Sequence, residues 1–152
     1  MRLDPAEIEP GLVVFCDPAV LATDTGTSAT DYAENCVQGP HFFVVLRRHS
    51  SGRWLLTPAF SRTSPERVQL DQSCKWGPST GWVQKPSYVY RWEHWLVPTQ
   101  ALIEASAADK TSVGRRNSYA LRAPTTLAKL ARLFDDNARP LINLVAGELA
   151  EL

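Results

Sequence analysis

His41-Phe42-Phe43-Val44-Val45-Leu46, then Arg47-Arg48-His49-Ser50-Ser51-Gly52, then Arg53-Trp54-Leu55-Leu56-Thr57-Pro58: this stretch decides the fold. Two apolar runs, rich in aromatic and β-branched residues, flank a charged segment that ends in glycine. Side chains of that kind favour the pleated conformation, and the polar segment between them reads as a long hairpin loop. The region from His41 to Val97 is therefore read as a strand-rich unit.

Similar short runs lie on either side. Gly11-Leu12-Val13-Val14-Phe15 is apolar and bounded by Pro10-Gly11 and Asp17-Pro18, which makes it the first strand. Further strands are expected at Arg67-Val68-Gln69-Leu70 and at Ser87-Tyr88-Val89-Tyr90-Arg91-Trp92. Ala22 to Pro40 reads as a long polar loop, of the kind more often functional than inert. Several short strands separated by Gly, Pro and Ser suggest a small barrel or sandwich. Closing the sheet would also hide its edges. The last third has a different rhythm. Thr99 to Ala108 has helical composition, and Pro124 to Asp136 repeats Leu127, Leu130, Leu133 and Phe134 at helical spacing. Pro124 suits a first helical turn, and Pro140 is read as opening a further short helix through Leu152. The expected architecture is one mainly-β barrel domain over residues 1–152. Its strands fall at about 11–97, its helical part at about 98–152, and its long polar loop at about 22–40.

The 152 residues contain no apolar run close to the ~18 needed for a membrane span. The acidic, polar start does not resemble a secretory signal. Cys16, Cys36 and Cys74 are odd in number and form no closely spaced pair, so they are read as reduced thiols of a cytoplasmic protein without a zinc site, the alternative being a single disulfide with one free thiol. Net charge is zero but unevenly spread. Residues 1–40 carry one arginine against seven acids, residues 41–100 eight cations against three acids, and residues 101–152 seven against six. A basic middle is what a polyanion would seek, and equally what an acidic front would neutralise.

All five tryptophans lie between Trp54 and Trp95, interleaved with the basic residues of the same region. Single-stranded nucleic acid asks for this mixture, since bases stack on flat rings while cations hold phosphates. Core filling is the competing explanation for most of the rings. If the strand through Tyr90 continues past Trp92, Arg91 and Glu93 share one of its faces. A carboxylate can then take a proton from a ribose 2′-hydroxyl while a guanidinium holds the charge that develops on phosphate. His41, at the start of its strand, and His49 and His94 are the other groups that titrate near neutrality. No HExxH, P-loop or GxSxG pattern occurs, which removes the common metalloprotease, nucleotide-binding and serine-hydrolase readings.

Four segments, taken in order, resemble the MazF/PemK-like toxin family. Pro10 to Pro18 is similar to its opening strand, and His41 to Leu46 resembles its second. Leu55-Leu56-Thr57-Pro58-Ala59-Phe60-Ser61 looks like its third, and Val89-Tyr90-Arg91-Trp92-Glu93 resembles the segment where PemK-type members carry Arg-x-Asp. The resemblance implies a Src-homology-3-like barrel, a homodimer, and cleavage of single-stranded RNA with no metal or cofactor. By position it makes Glu93 the general base and Arg91 the phosphate stabiliser or acid, and it adds His41 and Ser61 to the catalytic set. Phe60 stands where the family has threonine, and His41 where it commonly has arginine. The RNA contacts expected are Arg47, Arg48, Arg53, Arg62, Trp92 and Trp95.

Three readings follow. The first is an endoribonuclease toxin acting on single-stranded RNA, with a cognate antitoxin protein. The second is a non-catalytic barrel that binds a protein or nucleic acid, as CcdB-type toxins of this fold bind a topoisomerase. The third is a phage or plasmid accessory protein that only uses the scaffold.

Overall fold

The computed structural model describes residues 3–30, 37–108, 116–136, 141–143 and 148–151. In chain order the elements are β1 (Leu12–Cys16), α1 (Pro18–Leu21), β2 (Ser28–Thr30), β3 (His41–Arg48), β4 (Trp54–Phe60), β5 (Arg67–Gln69), β6 (Lys75–Trp76), α2 (Thr80–Val83), β7 (Tyr88–Tyr90), β8 (Trp95–Val97), α3 (Thr99–Ala108), β9 (Asn117–Tyr119), α4 (Pro124–Asp136), β10 (Leu141–Asn143) and β11 (Glu148–Glu151). All strand pairs are antiparallel. The order is β11-β10-β2-β8-β4-β3-β1-β9-β6, with β5 and β7 branching from β4. The molecule is mainly β, a small barrel-like sheet that stays open, with helices concentrated toward the C-terminus.

The unbroken apolar run of β3 has a direct cause. Phe43 and Val45 pack into one core together with Leu102 and Ala105 of α3, while Val44 and Leu46 pack into a second core with Leu127, Leu130 and Phe134 of α4. A strand covered on both faces needs apolar residues at every position, not only alternate ones. β1 is built in the same way, with Val14 in the first core and Val13 in the second. The hairpin joining β3 to β4 is the expected one. It closes through the His49 N–H bond to the Arg53 carbonyl (2.8 Å), and Gly52 adopts φ 85° in its loop. One extra residue of β3, Leu46, bulges out between Val45 and Arg47.

Several expectations are corrected. Residues 22–40 are not all loop, because Ser28–Thr30 forms β2, paired with β8 and β10; residues 31–36, with Cys36, lie outside the described residues. The third strand does not stop at Pro58. It continues to Phe60, with Pro58 placed where β4 changes partner on one side, from β8 at Leu56 to β7 at Ala59. A residue lacking an N–H is tolerated where the ladder is interrupted. The strand through Tyr88 ends at Tyr90 rather than Trp92. Nor is the tail after Pro140 helical over its described residues: β10 and β11 form a hairpin there, and β10 covers the edge of β2. An open strand edge offers backbone partners that local helix preference cannot match. β9 adds a further strand within the expected helical third. The helices α3 and α4 have the bounds expected from composition and periodicity.

Trp54, Trp82 and Trp95 are buried in the cores. Lys75 is buried too, and its ammonium donates to the Trp82 carbonyl (3.1 Å), the Lys85 carbonyl (2.7 Å) and Ser87 Oγ (2.6 Å). It thereby fastens the 77–87 loop to β6. Cys16 is a core residue and Cys74 is half-buried; neither is in a disulfide among the described residues. Among the described residues no helix is long and apolar enough to cross a membrane.

Candidate active site around Glu93

β7 and β8 both pair with β4, and the chain between them is longer than the gap it spans. Ala59 faces Val89 and Leu56 faces Trp95, so the five residues from Tyr90 to His94 stand opposite only Thr57 and Pro58. The surplus folds into a turn, closed by the Glu93 N–H bond to the Tyr90 carbonyl (2.9 Å) and by Thr57 Oγ, which donates to the Glu93 carbonyl (3.0 Å). The turn drives the Glu93 side chain inward until none of it is exposed.

Inside, Glu93 Oε2 accepts the Val37 N–H (2.9 Å) and the indole N–H of Trp95 (3.0 Å). Oε1 has no hydrogen-bond partner among the described residues. Burial raises the carboxyl pKa to about 7, against the opposing pull of the two donors and of the Arg67 charge. A carboxyl held near the midpoint of its titration at neutral pH can both take and return a proton.

The cation that acts on Glu93 is Arg67, a residue that sequence reasoning counted only among the basic residues of the region. β5 places it opposite Tyr90 of β7. Its guanidinium lies 4.0 Å from the Phe60 ring centroid and 5.9 Å from that of Tyr90, and donates to the Arg62 carbonyl (2.7 Å). Stacking on Phe60 fixes its plane and leaves Nε with no hydrogen-bond partner among the described residues. Phe60 also meets the His41 ring, edge to face at 5.3 Å. The His41 Nδ1 lies 3.0 Å from the Gly39 carbonyl. A carbonyl only accepts, so Nδ1 carries the proton and Nε2 of the neutral ring keeps its lone pair.

Arg91 does not share a face with Glu93, because the strand that would have aligned them ends at Tyr90. It turns outward to Glu66, at 3.6 Å between Arg91 Nε and a carboxylate oxygen. Ser61 is exposed, one residue beyond β4 and next to Phe60, and Arg62 is exposed beside it. His94, the neighbour of Glu93, packs against Phe134 of α4, where burial lowers its pKa to about 4.

The expected RNA contacts divide into three groups. Arg62 and the half-buried Trp92, which packs on Tyr90 at 5.8 Å, lie at the Phe60 end of the sheet. Arg47, Arg48 and Arg53 lie at the other end of the β3–β4 hairpin. His41 and Arg47 are six positions apart, about 20 Å along a strand. There Arg47 pairs with Asp135 at 2.5 Å, Arg48 covers Trp54 at 5.1 Å, and Arg53 bonds Ser51 Oγ (2.9 Å) and the Gly26 carbonyl (3.3 Å). Trp95 is a core residue whose one polar atom serves Glu93.

No protein-family model, curated protein or solved structure matches this chain.

Proposed function

We propose that this protein is a metal-independent endoribonuclease that cuts single-stranded RNA, acting as the toxin of a toxin–antitoxin pair. The resemblance to MazF/PemK-like toxins suggests the reaction class, and with it a cytoplasmic homodimer and a cognate antitoxin. The observation that carries the reading is Glu93: a buried carboxyl with its pKa near 7, one oxygen without a hydrogen-bond partner among the described residues, and the Arg67 charge acting on it.

In this reaction ionised Glu93 takes the proton of a ribose 2′-hydroxyl. The 2′-oxygen attacks the adjacent phosphorus, the bond to the 5′-oxygen breaks, and the proton returns to that leaving oxygen. The products are a 2′,3′-cyclic phosphate and a 5′-hydroxyl. Arg67 offsets the charge on the phosphate, Arg91 joins it only by leaving Glu66, and His41 Nε2 accepts a hydrogen bond from the ribose. Ser61 and Arg62 line the approach. Because Glu93 is fully buried, substrate reaches the carboxyl only when the packing around it opens.

The test is incubation of purified protein with single-stranded RNA in EDTA. Cleavage to cyclic-phosphate ends is expected, and Glu93→Gln should lower the rate at least 100-fold, the scale of general-base catalysis. Intact RNA with folded wild-type protein would overturn the proposal. The complete burial of Glu93 favours one alternative, a barrel of the same shape that binds a protein or nucleic acid and performs no chemistry.

A further inference from the structure

Trp76 stands apart from the buried tryptophans. It is 63% exposed, on β6 at the end of the strand order, and Leu121 beside it is 49% exposed. Between them lies a concavity of about 260 Å³ walled by Cys74, Trp76, Ala120, Leu121, Arg122 and Ala123. Glu93 lies elsewhere in the sheet, between β7 and β8.

The wall is shaped by backbone as well as by side chains. Ala120 adopts φ 55°, a conformation that costs a non-glycine residue energy and persists only where its surroundings enforce it. Its N–H is held by the Cys74 carbonyl (2.8 Å), and its carbonyl accepts the Ala123 N–H (3.0 Å). Leu121 rests on Gly11, where an added Cβ would come within 2.6 Å of Leu121 Cδ2. The turn so fixed presents Arg122, whose guanidinium lies 5.6 Å from the centre of the Trp76 ring. Among the described residues Arg122 is the one charged side chain in the lining, and the Asp71 carboxylate next to it accepts the Ser73 N–H (3.0 Å) and hydroxyl (2.7 Å).

An exposed flat ring next to one cation is complementary to a base and its phosphate, and the one carboxylate at the rim, Asp71, is already taken up by Ser73. An apolar protein segment would cover the ring but leave the guanidinium without a counter-charge. We propose that Trp76 and Arg122 form a base-stacking subsite for single-stranded RNA, apart from the Glu93 centre. The inference rests on the proposed RNA substrate and adds to it a second place of contact.

The test measures binding of a 2′-O-methyl RNA hexamer, which lacks the attacking hydroxyl and cannot be cut. Fluorescence anisotropy is read for wild type, Trp76→Ala, Trp76→Phe and Arg122→Ala. Loss of the ring should weaken binding about tenfold, and Trp76→Phe should stay within about threefold of wild type. Arg122→Ala should weaken binding and reduce the salt dependence by about one phosphate contact. Wild-type affinity in Trp76→Ala, or no binding by wild type, overturns the inference. So does a dimer that Trp76→Ala splits without changing RNA affinity, since the patch would then be an interface between copies. If wild type binds the hexamer through Trp76 yet leaves ordinary RNA intact, the nuclease proposal fails and the subsite stands. If it cuts RNA while Trp76→Ala binds normally, the subsite fails and the nuclease stands.

Discussion

A carboxyl shut away from water keeps its proton more tightly, and Glu93 makes that cost measurable. In the unfolded chain it ionises near pH 4.5, and in the folded chain near pH 7. Folding therefore takes up a proton between those values, and stability falls as pH rises through the window, by up to about 3 kcal/mol. Glu93→Gln has no proton to lose there and keeps an oxygen for Val37 and Trp95. Denaturant melts at pH 5 and pH 8 should show wild type losing stability relative to the variant as pH rises, so that the variant is the more stable at pH 8; His94, kept neutral by burial, adds the same rising contribution to both proteins and drops out of the difference. A Glu93→Gln protein less stable than wild type at pH 8 would mean that the ionised group is stabilised in place. Glu93 was legible as a candidate because its residue type and position were visible in the chain. Arg67 was not, because it reaches the site through the pairing of β5 with β7 and through stacking on Phe60, neither of which leaves a local signal. The same stacking gives Phe60 a use at a position where the resembling family carries a hydroxyl: it orients the cation instead of touching phosphate.

The β3–β4 hairpin and the helices α3 and α4 follow from short-range pattern. Apolar aromatic and β-branched runs with a glycine loop specify the first, and leucines at helical spacing specify α4. The elements that were missed are those made by pairing rather than propensity. β2, β6, β8 and β9 are two or three residues long, and β10 exists because β2 has an edge to fill. The early end of β7 likewise reflects a mismatch, five residues facing two, that only the register of β4 reveals. The 77–87 loop depends on an equally non-local fit. Gly77 has φ 136°, and a Cβ there would come within 2.9 Å of three Asn117 atoms, the closest being Asn117 Oδ1. Asn117 in turn holds the Ser79 N–H (3.1 Å) and donates to Ser79 Oγ (3.0 Å). Gly77→Ala should therefore destabilise the protein by at least about 2 kcal/mol, combining backbone strain with the loss of a buried hydrogen-bonded pair. Chemical denaturation measures this, and a change under ~0.5 kcal/mol would show that the loop relaxes around the added methyl.

Across the molecule, one central sheet separates two cores, α3 closing the first and α4 the second. That arrangement explains why the middle of the chain is so apolar and why three of its tryptophans are structural. It also redistributes the charge read from sequence. The acidic front is met from the last third of the chain, through Glu7 with Arg116 at 2.7 Å, while Arg47 of the basic middle is taken by Asp135 of α4. Fewer cations are left for a polyanion than the count of the 41–100 region suggests, since Arg91 too is paired, with Glu66, and the cation acting on Glu93 is Arg67. The proposed chemistry then turns on whether Glu93 is ionised, which sets activity and stability against each other with pH. The most direct measurement is the single-turnover rate of single-stranded RNA cleavage in EDTA from pH 5 to pH 9. The rate is expected to rise about tenfold per pH unit below pH 7, to level above it, and to be lost in Glu93→Gln. A rate independent of pH across this range, or a Glu93→Gln protein that cuts as fast as wild type, would contradict it.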